Sequence, residues 1–300
     1  YGMYDGFGDI FEHIATHPEL RRLVTAIPSG QGYTGWFSLI ILSGLAVLFL
    51  PRQFQVAVVE NVNEAHLKRA AWLFPLYLLL INVFVLPIAH GGLLHFSGQA
   101  VDADTFVLTL PMSQRQQGLT LLVFIGGLSA GTGMVIVETI ALSTMVCNDL
   151  VMPLLLRRKA AALEERKDLS GLLLAIRRGA IVVILLLGYL YFRLAGEAYA
   201  LVAIGLISFS AVAQFAPAII GGMYWRGGTR AGALAGLSAG FLVWGYTLLL
   251  PSFAKSGWLP ADFLTQGLFG SELLRPQQLF GLTGMDEISH CLFWSFLANI

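Results

Sequence analysis

The chain has 300 residues, of which 56% are hydrophobic and only 12% charged, and its mean hydropathy is +0.73. An ordinary soluble domain carries roughly a quarter of its residues as charges, so that class is excluded and an all-α, polytopic helical membrane protein is expected. The formal net charge of zero and the lack of a basic patch give no reason to expect a nucleic-acid partner. Cys147 and Cys291 have no CxxC spacing and supply neither a metal cluster nor a disulfide framework.

Without an initiator Met or signal peptide, and ending in the apolar FWSFLANI, the chain is expected to be a piece of a longer protein, incomplete at both ends. Residues 1–35 read as an extracytoplasmic segment and 36–300 as the transmembrane domain. The first span covers about 36–51, WFSLIILSGLAVLFLP, with a continuation through QVAVV left open. There follows PRQFQVAVVENVNEAHLKR, a mixed segment between two apolar runs, which reads either as a loop or as part of a mechanism. The second span, about 70–95, contains Pro75, Pro87 and Asn82, with HGG at 90–92. Each proline frees a backbone carbonyl that a neighbour must satisfy, so Asn82 has either a packing role or a place in a substrate path.

The third span, about 118–156, is the richest in polar groups. Its GGLSAGTG permits close helix approach through small residues, while the hydroxyls of Ser129 and Thr132 would alternatively help to hold an ion. Glu138 lies well inside the apolar run, where a carboxylate is costly. Either a neighbouring hydroxyl or Trp donates to it, or it is a proton-carrying or coupling group, since hydrocarbon favours the neutral form of a carboxyl. Arg52, His90 and Tyr246 are its candidate partners. The fourth span covers about 179–195, with Arg193 placed to snorkel. The fifth, about 200–225, has Gln214 and Pro217 at an expected bend. The sixth, about 231–250, opens with AGALAG, a small-residue packing face, and a seventh starts near 290.

Orientation follows from the basic residues. Segments 52–69, 157–178 and 226–230 hold twelve of the eighteen Lys and Arg, which places them in the cytoplasm by the positive-inside bias. Segments 1–35, 97–117 and 251–289 then face outward, and their scattered acids favour cationic solutes slightly.

QFAPAIIGGMYWRGGTRAGALAG, together with the preceding small-residue span and its terminal CNDL, resembles the sodium/solute symporter family of proline and sugar cotransporters. The family's helix-pair signature corresponds to Phe215, Ala216, Pro217, Tyr224, Trp225, Thr229, Arg230, Gly232 and Ala233. The resemblance implies the second half of a five-plus-five inverted-repeat symporter fold, with broken helices and a site at mid-membrane. It also implies that PRQFQVAVVE is an inner half-helix with Pro51 as its break point. Phe49, Gln53, Gln55 and Asn82 are then expected to line the substrate path. More narrowly, PRQFQVAVVEN leading into AHLKRAAWLFPLYLLLINVFVLPIA looks like the transporter-like membrane domain of CbrA-type hybrid sensor histidine kinases, and YGMYDGFGDIF fits the same group.

That likeness implies a bacterial inner-membrane module that binds and translocates an amino acid such as histidine. A downstream kinase would use ATP and signal to a response regulator. No kinase motif lies within these residues, so this segment itself is not expected to be an enzyme. The alternatives are a stand-alone cation-coupled symporter and a transport-dead receptor. The family's adjacent Ser-Thr pair, which offers hydroxyls to sodium, falls on Gly133 and Met134, neither of which has an oxygen-bearing side chain. At this register the case for classical sodium coupling is weakened in favour of proton coupling or ion-independent sensing; Na+ and H+ both stay open as the coupling ion, and a one-residue shift would recover Thr132. Ser129, Thr132, Gly133, Met134 and Glu138 are the ion-coupling candidates.

Overall fold

The computed structural model describes residues 6–17, 20, 32–157, 169–195, 201–260 and 262–300. The regular secondary structure of these residues is all helical, with no strand among them. In chain order the helices are α1 (Phe7–Thr16), α2 (Gly32–Phe49), α3 (Pro51–Val59), α4 (Glu64–His95), α5 (Phe106–Ser113), α6 (Gln117–Arg157), α7 (Ser170–Ala195), α8 (Leu201–Ala213), α9 (Phe215–Tyr224), α10 (Arg230–Lys255) and α11 (Glu287–Asn299). Five spans are long and apolar enough to cross a membrane, namely α4, α6, α7, α8 with α9, and α10, or six if the bent pair α2–α3 counts as one.

Caps and prolines explain the boundaries. α4 begins before its apolar run because the Asn63 side chain accepts the Ala65 N–H at 2.9 Å, and Glu64–Arg69 are good helix formers. It runs unbroken through Pro75 and Pro87. Thr229 caps α10 by accepting the Gly232 N–H at 3.0 Å, and Asp286 caps α11 at Ser289. α8 and α9 are separated by Gln214 alone. Pro217 has no N–H for the carbonyl of Ala213, which places the interruption there. The π-helical turns Val146–Val151 and Gly245–Leu249 end two residues before Pro153 and Pro251, where a proline ring would otherwise press on the carbonyl one turn back. The helical stretch before the fourth apolar run starts at Ser170, and the basic residues 158–168 lie outside the described residues.

The chain divides into two compact units, one comprising residues 1–29 and 57–136, the other 30–56 and 137–300. In the first, α1 lies on α4, with Ile10 and Ile14 buried and Phe11 edge-on to His90 at 5.4 Å. α5 packs against the end of α4, where Phe106 covers Gly92.

In the second unit α10 packs along α11, and α8 along α2. The apolar core is Leu42, Ala213 and Leu292, with Ile207, Leu248 and Cys291 beside it. Hydrogen bonds cross between helices at three levels. Ser289 Oγ donates to Ser38 Oγ at 2.7 Å, Trp244 Nε1 donates to the Ile207 carbonyl at 3.2 Å, and Gln214 Nε2 donates to Ser295 Oγ at 2.8 Å. In hydrocarbon such bonds and close packing take the place of the hydrophobic effect as the force between helices. Residues 256–260 and 262–286 form turns and short helices, tied to the longer helices by the Lys255–Glu287 ion pair, by Tyr246 Oη donating to the Leu274 carbonyl, and by the Leu279 N–H donating to His290 Nε2 at 3.0 Å.

Candidate functional site

The candidate site is the break between α2 and α3. Leu50 is extended (φ −63°, ψ 130°) and Pro51 opens the next helix, so the two axes meet at a 48° bend. The cause is chemical. Pro51 has no N–H to donate to the Val47 carbonyl, and it drives the residue before it out of the helical region. The Leu50 carbonyl restarts the ladder by accepting from Gln53 N–H at 3.0 Å and Phe54 N–H at 3.1 Å. The sequence thus builds a helix end and a helix start inside one apolar stretch. Arg52, Gln53 and Gln55 are half-buried in the first turns beyond the break, and α3 continues into a π-helical turn at Gln55–Val59.

Glu138 on α6 faces this turn, with its Oε2 lying 3.8 Å from Arg52 Nε. Their side chains are 33% and 25% exposed, so neither headgroup is sealed off. At 3.8 Å the contact is coulombic rather than a hydrogen bond. Each charge lowers the cost of placing the other in an apolar segment. Of the three partners considered for Glu138, Arg52 is the one that reaches it. Tyr246 Oη instead engages Leu274, and His90 is buried against Phe11.

The remaining expected site residues are placed as follows. Phe49 is the last residue of α2 and half-buried. Asn82 is exposed on α4, and its Nδ2 donates to the Leu78 carbonyl of its own helix at 2.8 Å. Ser129, Thr132, Gly133 and Met134 are exposed along α6, and Thr132 Oγ1 donates back to the Leu128 carbonyl at 2.7 Å. At roughly 100° per residue, the turn of an α-helix puts Ser129 on the opposite face of α6 from Glu138, and only Met134 near the same face. The hydroxyls and the carboxylate therefore do not form one oxygen cluster on this helix. GGLSAGTG also has no neighbour within 4 Å of the positions where Cβ atoms would stand on Gly126, Gly127, Gly131 and Gly133, among the described residues.

A second polar centre was not anticipated from the residues. Gln214 is fully buried, and its Nε2 reaches Ser210 O at 3.1 Å as well as Ser295 Oγ. Asn299 Nδ2 donates to the Gln214 carbonyl at 2.7 Å. The signal was partly present, since Gln214 interrupts an apolar run and Ser295 and Asn299 are one helical turn apart. Gly236 and Gly240 give Asn299 its space. Beside this centre a cleft of about 640 Å³ lies between Pro217, Trp225, Arg230 and Asn299, and contains none of the residues proposed for the substrate path.

No family model, curated protein or solved structure matches the chain.

Proposed function

We propose that this chain is the transporter-like membrane module of a nutrient-sensing histidine kinase, binding and translocating an amino acid such as histidine across a bacterial inner membrane. The observation that supports this most is the helix broken at Leu50–Pro51 inside an apolar stretch, with the Arg52–Glu138 pair beside the break. Irregular backbone at membrane depth is tolerated where it is buried in protein or lines a cavity, and broken helices are how many transporters build a solute site. An intramembrane ion pair likewise marks a solute or ion pathway by default. In this reading α3 is the inner half-helix, and its movement against α6 carries solute occupancy to the cytoplasmic side. Lys68 and Arg69 help to orient that side.

Proton coupling is favoured over sodium coupling. A sodium ion needs several oxygens. Gly133 and Met134 supply none, and Ser129 and Glu138 face opposite ways on α6. Glu138 is the protonatable group on the path. The kinase, its ATP and its response regulator belong to this proposal through the sequence resemblance alone.

The test is uptake of radiolabelled histidine and other amino acids by the full-length protein in proteoliposomes, with sodium and proton gradients imposed separately. Uptake driven by the proton gradient and lost in Glu138→Gln is the expected result. Sodium-driven uptake would overturn the coupling assignment. Saturable binding without uptake under either gradient would identify a receptor that no longer transports.

A further inference from the structure

The Arg52–Glu138 pair is less engaged than a structural tie requires. An Arg–carboxylate pair that serves only to hold helices together makes short hydrogen bonds, about 2.7–2.9 Å and frequently bidentate. Arg275 and Glu272, three residues apart in one turn, make a bond of that length, with Nη2 at 2.8 Å from Oε1. Arg52 and Glu138 stand 3.8 Å apart, and among the described residues no hydrogen bond reaches either headgroup. Two charges in apolar helices are thus left with a fork of unused N–H donors on one side and unused carboxylate lone pairs on the other. At the break itself the Val47 carbonyl has no helical donor, because residue 51 is a proline.

We infer that this is a recognition point for the backbone of an α-amino acid. The Arg52 guanidinium takes the α-carboxylate, and Glu138 takes the α-ammonium. The inference rests on the solute-binding reading above and specifies the groups that the solute must carry. A simple anion bound to Arg52 would face Glu138 as a like charge, and a simple cation on Glu138 would face Arg52. A zwitterion replaces one loose contact by two complementary ones. α-Amino acids carry both charges on a single carbon, the most compact zwitterion and so the best match to a pair already this close.

The experiment is equilibrium binding to the full-length protein in nanodiscs, first by thermal shift with the standard amino acids. The strongest binder is then competed against its decarboxylated analogue, its deaminated analogue and a γ-amino acid. Wild type should reject all three by about tenfold or more, which is about 1.4 kcal/mol or more. Arg52→Gln should bind the amino acid no better than the decarboxylated analogue, and Glu138→Gln no better than the deaminated one. Arg52→Lys, which keeps the charge and loses the fork, should fall between. A merely structural role would weaken every ligand equally, and that result overturns the inference. Amino-acid binding whose discrimination survives in both Gln variants also overturns it, while leaving the solute-binding reading intact. If no amino acid binds wild type, both fall. Melting temperatures of the variants identify misfolding, and if the Gln variants fail to fold, the Arg52→Lys selectivity decides.

Discussion

Asn299 lies directly against Gly240: its Nδ2 donates to the Gln214 carbonyl at 2.7 Å, and a Cβ on Gly240 would stand 2.7 Å from that same nitrogen. One turn earlier, a Cβ on Gly236 would come within 2.3 Å of the Asn299 carbonyl oxygen. α10 and α11 therefore approach as closely as they do because these two positions have no side chain, and the hydrogen bonds among Gln214, Ser295 and Asn299 depend on that approach.

Gly236→Ala and Gly240→Ala should each destabilise the protein by about 1–3 kcal/mol, the usual cost of overpacking a fitted contact. Gly131→Ala and Gly133→Ala, which meet no neighbour within 4 Å among the described residues, should instead be neutral or stabilising by up to about 1 kcal/mol through helix propensity. Thermal unfolding in detergent compares the four. Equal effects would show that the AGALAG face is not a tight contact.

Gln214→Leu keeps the volume near the original and removes three bonds of the amide: two donated by Nε2, and one accepted by Oε1 from Asn299 Nδ2 at 3.3 Å. Ser295 loses its donor and Asn299 keeps only the backbone carbonyl, so a loss of about 1–3 kcal/mol is expected from polar groups left without partners. Gln214→Glu should be at least as costly, because it puts an acid into a fully buried position. Urea or heat unfolding in micelles reads both.

At the other end of the chain, a Cβ on Gly92 would sit 2.2 Å from the Phe106 ring, which is itself buried. Gly92→Ala should cost about 1–3 kcal/mol in the wild type and much less in a Phe106→Ala background. A double-mutant cycle with no coupling energy would mean that α5 does not rest on α4 in this way.

Restoring the missing donor at the break should straighten it. In Pro51→Ala the new N–H can reach the Val47 carbonyl, so α2 can continue into α3 and the 48° bend should shrink. Spin labels at Ile40 and Val58 should move apart. The inter-label distance is the measurement, and an unchanged distance would assign the bend to tertiary packing rather than to the proline.

Asn82→Leu should leave stability nearly unchanged, because the one bond of its amide is made to its own helix at the Leu78 carbonyl. Loss of solute binding in this variant would support its place on the substrate path, and unchanged binding would remove it.

Most of the helices could be read directly from the residues. Apolar runs long enough to cross hydrocarbon, the caps at Asn63, Thr229 and Asp286, and the breakers Pro51 and Pro217 all act through atoms within one or two turns. Such local chemistry also marked Glu138 as a carboxylate in a costly place and Gln214 with Pro217 as the site of a bend. It could not rank Arg52, His90 and Tyr246 as partners for Glu138, nor show that one small-residue stripe is packed tightly at Gly236 while GGLSAGTG has no such neighbour. Those outcomes depend on which helix faces are brought together over long stretches of chain. In an apolar environment nearly every face is equally greasy, so the pattern of residues along a helix does not say which side turns inward. Close approach at individual glycines and the pairing of a few polar groups settle that, and both exist only once the helices have met.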